Sequence, residues 1–365
     1  MIKVLHIMGC SDAGGISSVV LNYYRHMDRT KIHFDIGLTI PTVGQNGKAL
    51  QELGCRIHFL PLKSEGLPVF CSALEKLLRE EAYDAVHVHE SETCYVALWV
   101  AKKLGIRCRI AHSHTSSPYE GLKGELRRLS GCVLNYHYAT CVIGCGKLAG
   151  ERVFGKWNMR RPKAMVLPNA VDTEKFAYDR QIRREIRQEL GLEEKYVIGM
   201  VGRLSEEKNP GYLVERMPEL LERIPHAVLV MAGNGPEEDT IRQRIRCLGL
   251  EGKVLLLGRR GDVHRLYQGF DVFVLPSYTE GFPVAAVEAM ASGLPVLMSD
   301  AITRELEFYS EAQYLPLAEP ELWLRALTAN RQGCSREALS REPAQHGLDI
   351  RRAVKRLEAL YSGEK

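Results

Sequence analysis

The chain has 365 residues, 45% hydrophobic and 26% charged, which fits a globular protein of two domains at roughly 100–200 residues each. A formal net charge of +4 argues against a nucleic-acid partner, no stretch of eighteen apolar residues predicts a membrane span, and residues 1–8 read as a strand and not as a signal peptide. Ten cysteines are scattered without a Cys-x-x-Cys pair, so a zinc site is not expected and a reducing cytoplasm is, with free thiols acting as small hydrophobes.

In chain order, residues 2–8 form a strand, Gly9-Cys10-Ser11-Asp12-Ala13-Gly14-Gly15 a loop, and Ile16, Val19, Val20, Tyr23, Tyr24 and Met27 recur at helical spacing. A strand, a glycine loop and a helix N-terminus make an anion-binding arrangement, although the Gly-x-Gly-x-x-Gly spacing of dinucleotide folds is absent. Strands are then predicted at 33–39, 56–60, 85–89, 109–114, 138–143 and 164–167, with helices at 67–80, 93–104 and 121–135. Alternation of this kind gives parallel strands joined by crossover helices. The scheme repeats after residue 172: strands at 196–201, 227–232, 254–257, 271–275 and 295–298, and helices at 179–190, 210–223, 236–248 and 262–269. The tail, 347–361, is a helix with Ile350, Val354, Leu357 and Leu360 on one stripe. Two α/β halves joined by a linker predict a cleft. The expected domains are 1–172 and 173–345, followed by a C-terminal helix at 346–365.

Three constellations carry chemistry. In Pro276-Ser277-Tyr278-Thr279-Glu280-Gly281-Phe282-Pro283, a buried strand runs into a loop, and a helix is expected to open at Pro283. Val284, Val287 and Ala291 share a helix face with Glu288, and a carboxylate there needs a partner. Glu280 lies at the carboxyl end of the strand, where open α/β sheets bind ligands, so the two carboxylates are expected to point at one crevice. In Gly199-Met200-Val201-Gly202-Arg203-Leu204-Ser205-Glu206-Glu207-Lys208-Asn209-Pro210, two cations stand between a strand and a helix N-terminus, where they suit a diphosphate; solvated surface charges are the plain alternative. The third is His87-Val88-His89 and His112-Ser113-His114, at the ends of two strands. Such histidines suit a metal, or they sit in the sheet and bond to backbone. No Asp-x-Asp occurs, so the carboxylate pair that carries a divalent ion to a nucleotide sugar is missing. Lys123, Arg127 and Arg128, with Leu122, Leu126 and Leu129 on the same helix, then Lys156, Trp157, Arg160, Arg161 and Lys163, form a basic, partly apolar patch. It suits peripheral contact with an anionic membrane, and a solvated helix face accounts for the same residues.

Taken together, the Glu280–Glu288 string, the Arg203–Lys208 loop and the glycine loop resemble the signature of the retaining glycosyltransferases of family four, over nearly the whole chain. The resemblance implies an α/β fold of the GT-B class, with two Rossmann-like parallel-sheet domains facing a central cleft and the last helix returning to the first domain. It implies a retaining, metal-independent hexosyltransferase whose expected donor is a nucleoside-diphosphate sugar, a UDP-sugar first, and whose acceptor is a glycan or lipid-linked saccharide in capsule or exopolysaccharide synthesis. Arg203 and Lys208 would neutralise the diphosphate beside the amides of Gly14 and Gly15, and Gly233 with Gly281, Phe282 and Pro283 would flank the nucleotide. Glu280 would hold the sugar and Glu288 the ribose. His114 would contact the transferred sugar, with His112 its competitor, and Asn169 would shape the linker. No cofactor beyond the donor is implied. The expected location is the cytoplasm, peripheral at the inner face of the membrane. Two rival readings are a GT-B nucleotide-sugar epimerase and a non-catalytic partner subunit of the same fold.

Overall fold

The computed structural model describes residues 1–12, 15–115, 121–329 and 335–364. Gly14 and Cys334 lie outside the described residues. The chain divides into two units, one of Met1–Ala170 together with the segment from Ile350 onward, the other of Val171–Asp349. The expected boundaries after 172 and 345 differ from these by a few residues. Within the second unit, Val171 pairs with Asp349, its N–H donating to Leu348 O at 3.0 Å, so both linker strands belong to that unit.

The first unit is built on seven parallel strands: β1 (Ile2–Met8), β2 (Ile32–Leu38), β3 (Ile57–Phe59), β4 (Ala85–Val88), β5 (Cys108–Ser113), β6 (Cys141–Gly144) and β7 (Ala164–Val166). They lie in the order β3-β2-β1-β4-β5-β6-β7. Alternate residues of β1 face opposite ways. Val4 and Met8 join a core with the helices Gly15–His26 and Ile350–Ser362, while Leu5 and Ile7 join a second core with Leu67–Glu81 and Cys94–Lys103. The tail helix buries Ile350, Ala353, Val354, Leu357 and Tyr361 there, so the expected stripe is right except that Leu360 is only partly covered.

The second unit repeats the plan with six parallel strands, β8 (Tyr196–Val201), β9 (Ala227–Ala232), β10 (Val254–Leu256), β11 (Val272–Leu275), β12 (Val296–Ser299) and β13 (Ala312–Leu315), in the order β10-β9-β8-β11-β12-β13. β9, β11 and β12 are buried along their whole length, as continuous apolar strands covered on both faces must be. β13 was not foreseen: Ala312-Gln313-Tyr314-Leu315 is a short, half-exposed edge strand without an apolar run. In both sheets the strand order reverses beside the first strand, between β1 and β4 and between β8 and β11. Loops leaving the carboxyl ends at such a point form the ligand crevice of doubly wound sheets. The Arg203–Lys208 loop follows β8 and the Glu280 loop follows β11.

Candidate functional site

The loop after β8 is held by its neighbour after β9. Gly233 has φ +141°, and a Cβ there would sit 1.8 Å from Gly202 O. Leu204 N donates to Asn234 O at 3.1 Å, and Glu237 N to Leu204 O at 3.0 Å. Gly233 therefore serves close backbone approach, and any side chain at 233 would push the two loops apart. Arg203 projects from this braced loop, exposed, and forms no ion pair among the described residues.

Lys208 departs from expectation. It ends a short turn, Glu206–Lys208, and Asn209 then takes a left-handed conformation, φ 52°, before the helix Gly211–Arg223. The Lys208 ammonium is not a solvent-facing lone cation. It donates to both oxygens of Glu280 at 2.6 Å, and Ser277 Oγ donates to Glu280 Oε1 at 2.9 Å. Glu280 is only 8% exposed, so its charge depends on these partners. The backbone adds a second tie, Tyr278 N to Glu207 O at 2.8 Å. β8 and β11 are adjacent in the sheet, with Val272 opposite Ile198, so their two loops leave side by side. Phe282 and Pro283 are buried beneath them, and Gly281 is partly covered.

Glu288 has different partners from Glu280. Its helix, Val284–Ala291, begins one residue after Pro283, which caps it. Val287 and Ala291 are buried, while Glu288 is partly exposed and accepts from the Tyr267 hydroxyl at 2.9 Å. Burial pushes the Glu288 carboxyl up to about 7, against the opposing pull of Tyr267 and Lys175. A folded-state value above the unfolded 4.5 means that the native state holds the extra proton. The stability this group contributes therefore falls as pH rises from about 4.5 through about 7. Relative to Glu288→Gln, the parent should lose Tm across that window. Parallel Tm–pH curves for the two proteins would mean that the carboxyl titrates at its ordinary value.

In the first unit, Gly15 opens the helix Gly15–His26 at φ +57°. Asn46 ties Asp12 to the first turn of this helix: its Nδ2 donates to Asp12 O at 3.1 Å, Ser17 Oγ at 3.0 Å and Ser18 Oγ at 2.9 Å. His114 follows β5, with Nε2 2.9 Å from His89 Nδ1, and burial drops it to about 3, so it is neutral. His112 is 2% exposed and bonds through Nδ1 to His87 Nε2 at 3.1 Å, which leaves His114 the outer of the two. Asn169 is buried with its Oδ1 unsatisfied among the described residues. Three contributors were missed: Ser277, Tyr267 and Asn46. Ser277 stands in the quoted string three residues before Glu280, a spacing that could have revealed it. Tyr267 and Asn46 carry no local signal, since each acts across at least twenty residues.

Residues 14–170 match the family described as "Glycosyl transferase 4-like domain" and residues 182–313 that described as "Glycosyl transferases group 1". A Bacillus subtilis (strain 168) protein carried under the name glycosyltransferase EpsF is 34% identical over 99% of this chain and 96% of its own length. The chain belongs to the group 1 glycosyltransferases. Another relative of this glycosyltransferase, 31% identical over 82% of the chain and 79% of its own length, is the Escherichia coli UDP-Gal:alpha-D-GlcNAc-diphosphoundecaprenol alpha-1,3-galactosyltransferase. Its fold is GT-B: the crystal structure of Anabaena HepE in complex with UDP superposes with a TM-score of 0.79 over 100% of both chains, at 20% identity.

Proposed function

We propose that this glycosyltransferase transfers a hexose from a UDP-sugar, with retention and without a metal, to a lipid-linked saccharide in extracellular or capsular polysaccharide assembly. The observation that carries the reading is the Lys208–Glu280 pair, held between two tied loops beside the exposed Arg203. The arrangement can receive a diphosphate and a sugar together. Arg203 presents a bidentate fork, and Lys208 has a third N–H beyond the two that Glu280 accepts. Glu280 accepts sugar hydroxyls, and Glu288 accepts ribose hydroxyls. The bond from the anomeric carbon to the diphosphate oxygen breaks as the acceptor oxygen bonds to the same face. The acceptor's proton passes to the departing phosphate oxygen. Charge developing on that oxygen is met by fixed cations, the largest single contribution such a site can make. The donor and acceptor classes follow the names of the relatives, one a UDP-Gal transferase to a diphosphoundecaprenol-linked sugar.

The test is a UDP-sugar and GDP-sugar panel in excess EDTA, read by Tm and by transfer to a diphospholipid-linked sugar. A donor that raises Tm and is consumed in EDTA is expected, since a bound ligand stabilises the native state. Activity that vanishes in EDTA and returns with manganese would overturn the metal-free reading.

No described helix is long and apolar enough to cross a membrane. The helix Gly121–Tyr138 nevertheless exposes Leu122 at 79%, with Leu126, Leu129 and Val133 on the same stripe and Lys123 and Arg127 beside it. Trp157 is also exposed, with the Arg161 guanidinium 3.3 Å from its ring centroid. This face suits an anionic membrane surface, where a lipid-linked acceptor resides. Co-sedimentation with phosphatidylglycerol vesicles should weaken at least about tenfold in Leu122→Ser/Leu126→Ser, given the apolar area removed. Equal binding by both proteins would reduce the stripe to an ordinary exposed face.

A further inference from the structure

Five histidines stand on one face of the sheet in the first unit. His6 of β1 lies opposite His87 of β4, and His87 opposite Ile110 of β5. The two-residue alternation of each strand then puts His6, His87, His89, His112 and His114 on the side of Val4, Ala85 and Ile110, within or just beyond the strands. They form one hydrogen-bonded chain. His114 Nε2 meets His89 Nδ1 at 2.9 Å, His89 Nε2 meets His6 Nδ1 at 3.0 Å, and His6 Nε2 meets the Tyr361 hydroxyl at 3.3 Å. That hydroxyl meets His87 Nδ1 at 2.7 Å, and His87 Nε2 meets His112 Nδ1 at 3.1 Å.

The chain cannot satisfy itself. Five neutral imidazoles and one phenol bring six protons to five contacts. With every contact made, one end keeps an idle N–H and the other a bare lone pair. The ends are His114 Nδ1 and His112 Nε2, both buried and without a partner among the described residues, on rings 4.1 Å apart. Buried polar atoms are nearly always paired, so two orphans on adjacent rings point to something that belongs there.

We propose that His89, His112 and His114 form a binding site for a divalent transition metal of the zinc class, with three imidazole ligands and an open fourth position. One nitrogen from each of the three lies within 4.8 Å of those of the other two. Zinc–nitrogen bonds of about 2.0–2.1 Å in a tetrahedron put ligand nitrogens about 3.3 Å apart, so small ring rotations suffice. His89 Nδ1 and His114 Nε2, hydrogen-bonded to each other at 2.9 Å, would exchange that one contact for the metal. An all-imidazole set suits zinc, cobalt, nickel or copper and not magnesium or calcium. Burial holds all three histidines well below the ordinary imidazole range, so their lone pairs are free at neutral pH. The far nitrogens of two ligands are already oriented, His112 Nδ1 by His87 and His89 Nε2 by His6, and both paths end on Tyr361. The deeper trio His6, His87 and His89 has the same proximity, but every one of its ring nitrogens already has a partner.

The site shares His114 with the sugar contact expected from the sequence, so its test reads metal binding and Tm and not transfer, and it stands whether or not the proposed function does. Tag-free protein, stripped with chelator, is titrated with Co²⁺ and then Zn²⁺. One equivalent of Co²⁺ should give the visible bands of nitrogen-ligated tetrahedral cobalt, without a thiolate band, and Zn²⁺ should displace it and raise Tm. His112→Gln and His114→Ala should each weaken Co²⁺ binding on the order of 100-fold, while His346→Ala leaves it unchanged. His114 is partly exposed, so His114→Ala remains informative if the interior change at His112 disturbs folding. No stoichiometric cobalt spectrum in the parent, or parental affinity in a folded His114→Ala or His112→Gln protein, overturns the proposal.

Discussion

Lys208→Ala should lower transfer by about 100- to 1000-fold, the loss of roughly 3–4 kcal/mol that follows removal of one donor from a developing charge. It should also lower Tm, an effect the sequence alone did not suggest. Glu280 is buried, and Lys208 supplies two of its charge-assisted hydrogen bonds. Removing one partner of a buried ion pair costs about 3–5 kcal/mol, because the other charge stays desolvated. Lys208 itself is partly exposed, which places the expected cost at the low end of that range. The two losses separate in the double variant Lys208→Ala/Glu280→Gln. Neutralising Glu280 should recover much of the Tm and none of the activity. A single variant that melts like the parent would mean that the pair contributes little to the fold. A double variant that regains transfer would mean that Lys208 serves only to hold Glu280. The ion pair also bears on donor binding, since a diphosphate must share the ammonium with Glu280 or draw it away.

The sheets were the most legible part of the chain because their signal is local. β1, β8 and β9 fall where apolar runs bounded by glycine or charge predict them. β13 and the helix Gln45–Glu52 were missed for the same physical reason. Each is short and lacks a sustained apolar pattern, and the helix lacks a side-chain cap, so tertiary packing decides their conformation. Among site residues, position was legible and partnership was not. Gly-Arg-Leu-Ser-Glu-Glu-Lys marks a strand-to-helix loop, yet nothing in it says that Lys208 bonds a carboxylate 72 residues away. The two glutamates were expected to share one crevice. The structure adds partners that no local pattern announces, a cation and a hydroxyl for Glu280 and a phenol for Glu288. The histidines show the same limit. Their alternation was visible in each strand, but their union into one chain depends on the register of β1, β4 and β5 and on Tyr361 from the tail helix.

Glu280→Gln should lower kcat by about 100-fold, about 2.7 kcal/mol of barrier, while UDP affinity stays level or rises slightly. The carboxylate is assigned to the sugar, whose ring gains positive charge only in the transition state, so its charge acts on the rate and not on nucleotide binding. The slight rise follows from the ion pair: once Glu280 is neutral, the Lys208 ammonium is freer to bind phosphate. Glutamine still accepts from Ser277 at its amide oxygen, so the loop should hold its shape. Glu288→Gln should do the reverse, weakening UDP by about tenfold, about 1.4 kcal/mol, with kcat nearly retained. Its carboxyl is assigned to the ribose, which is unchanged by the reaction, and the Tyr267 hydroxyl can still donate to the glutamine. Calorimetric titration of UDP into both variants, beside single-turnover transfer, reads the two effects independently. Lost UDP binding in Glu280→Gln with full binding in Glu288→Gln would reverse the assignment. Parental binding and turnover in both would make the motif structural and remove the main support for the proposed chemistry.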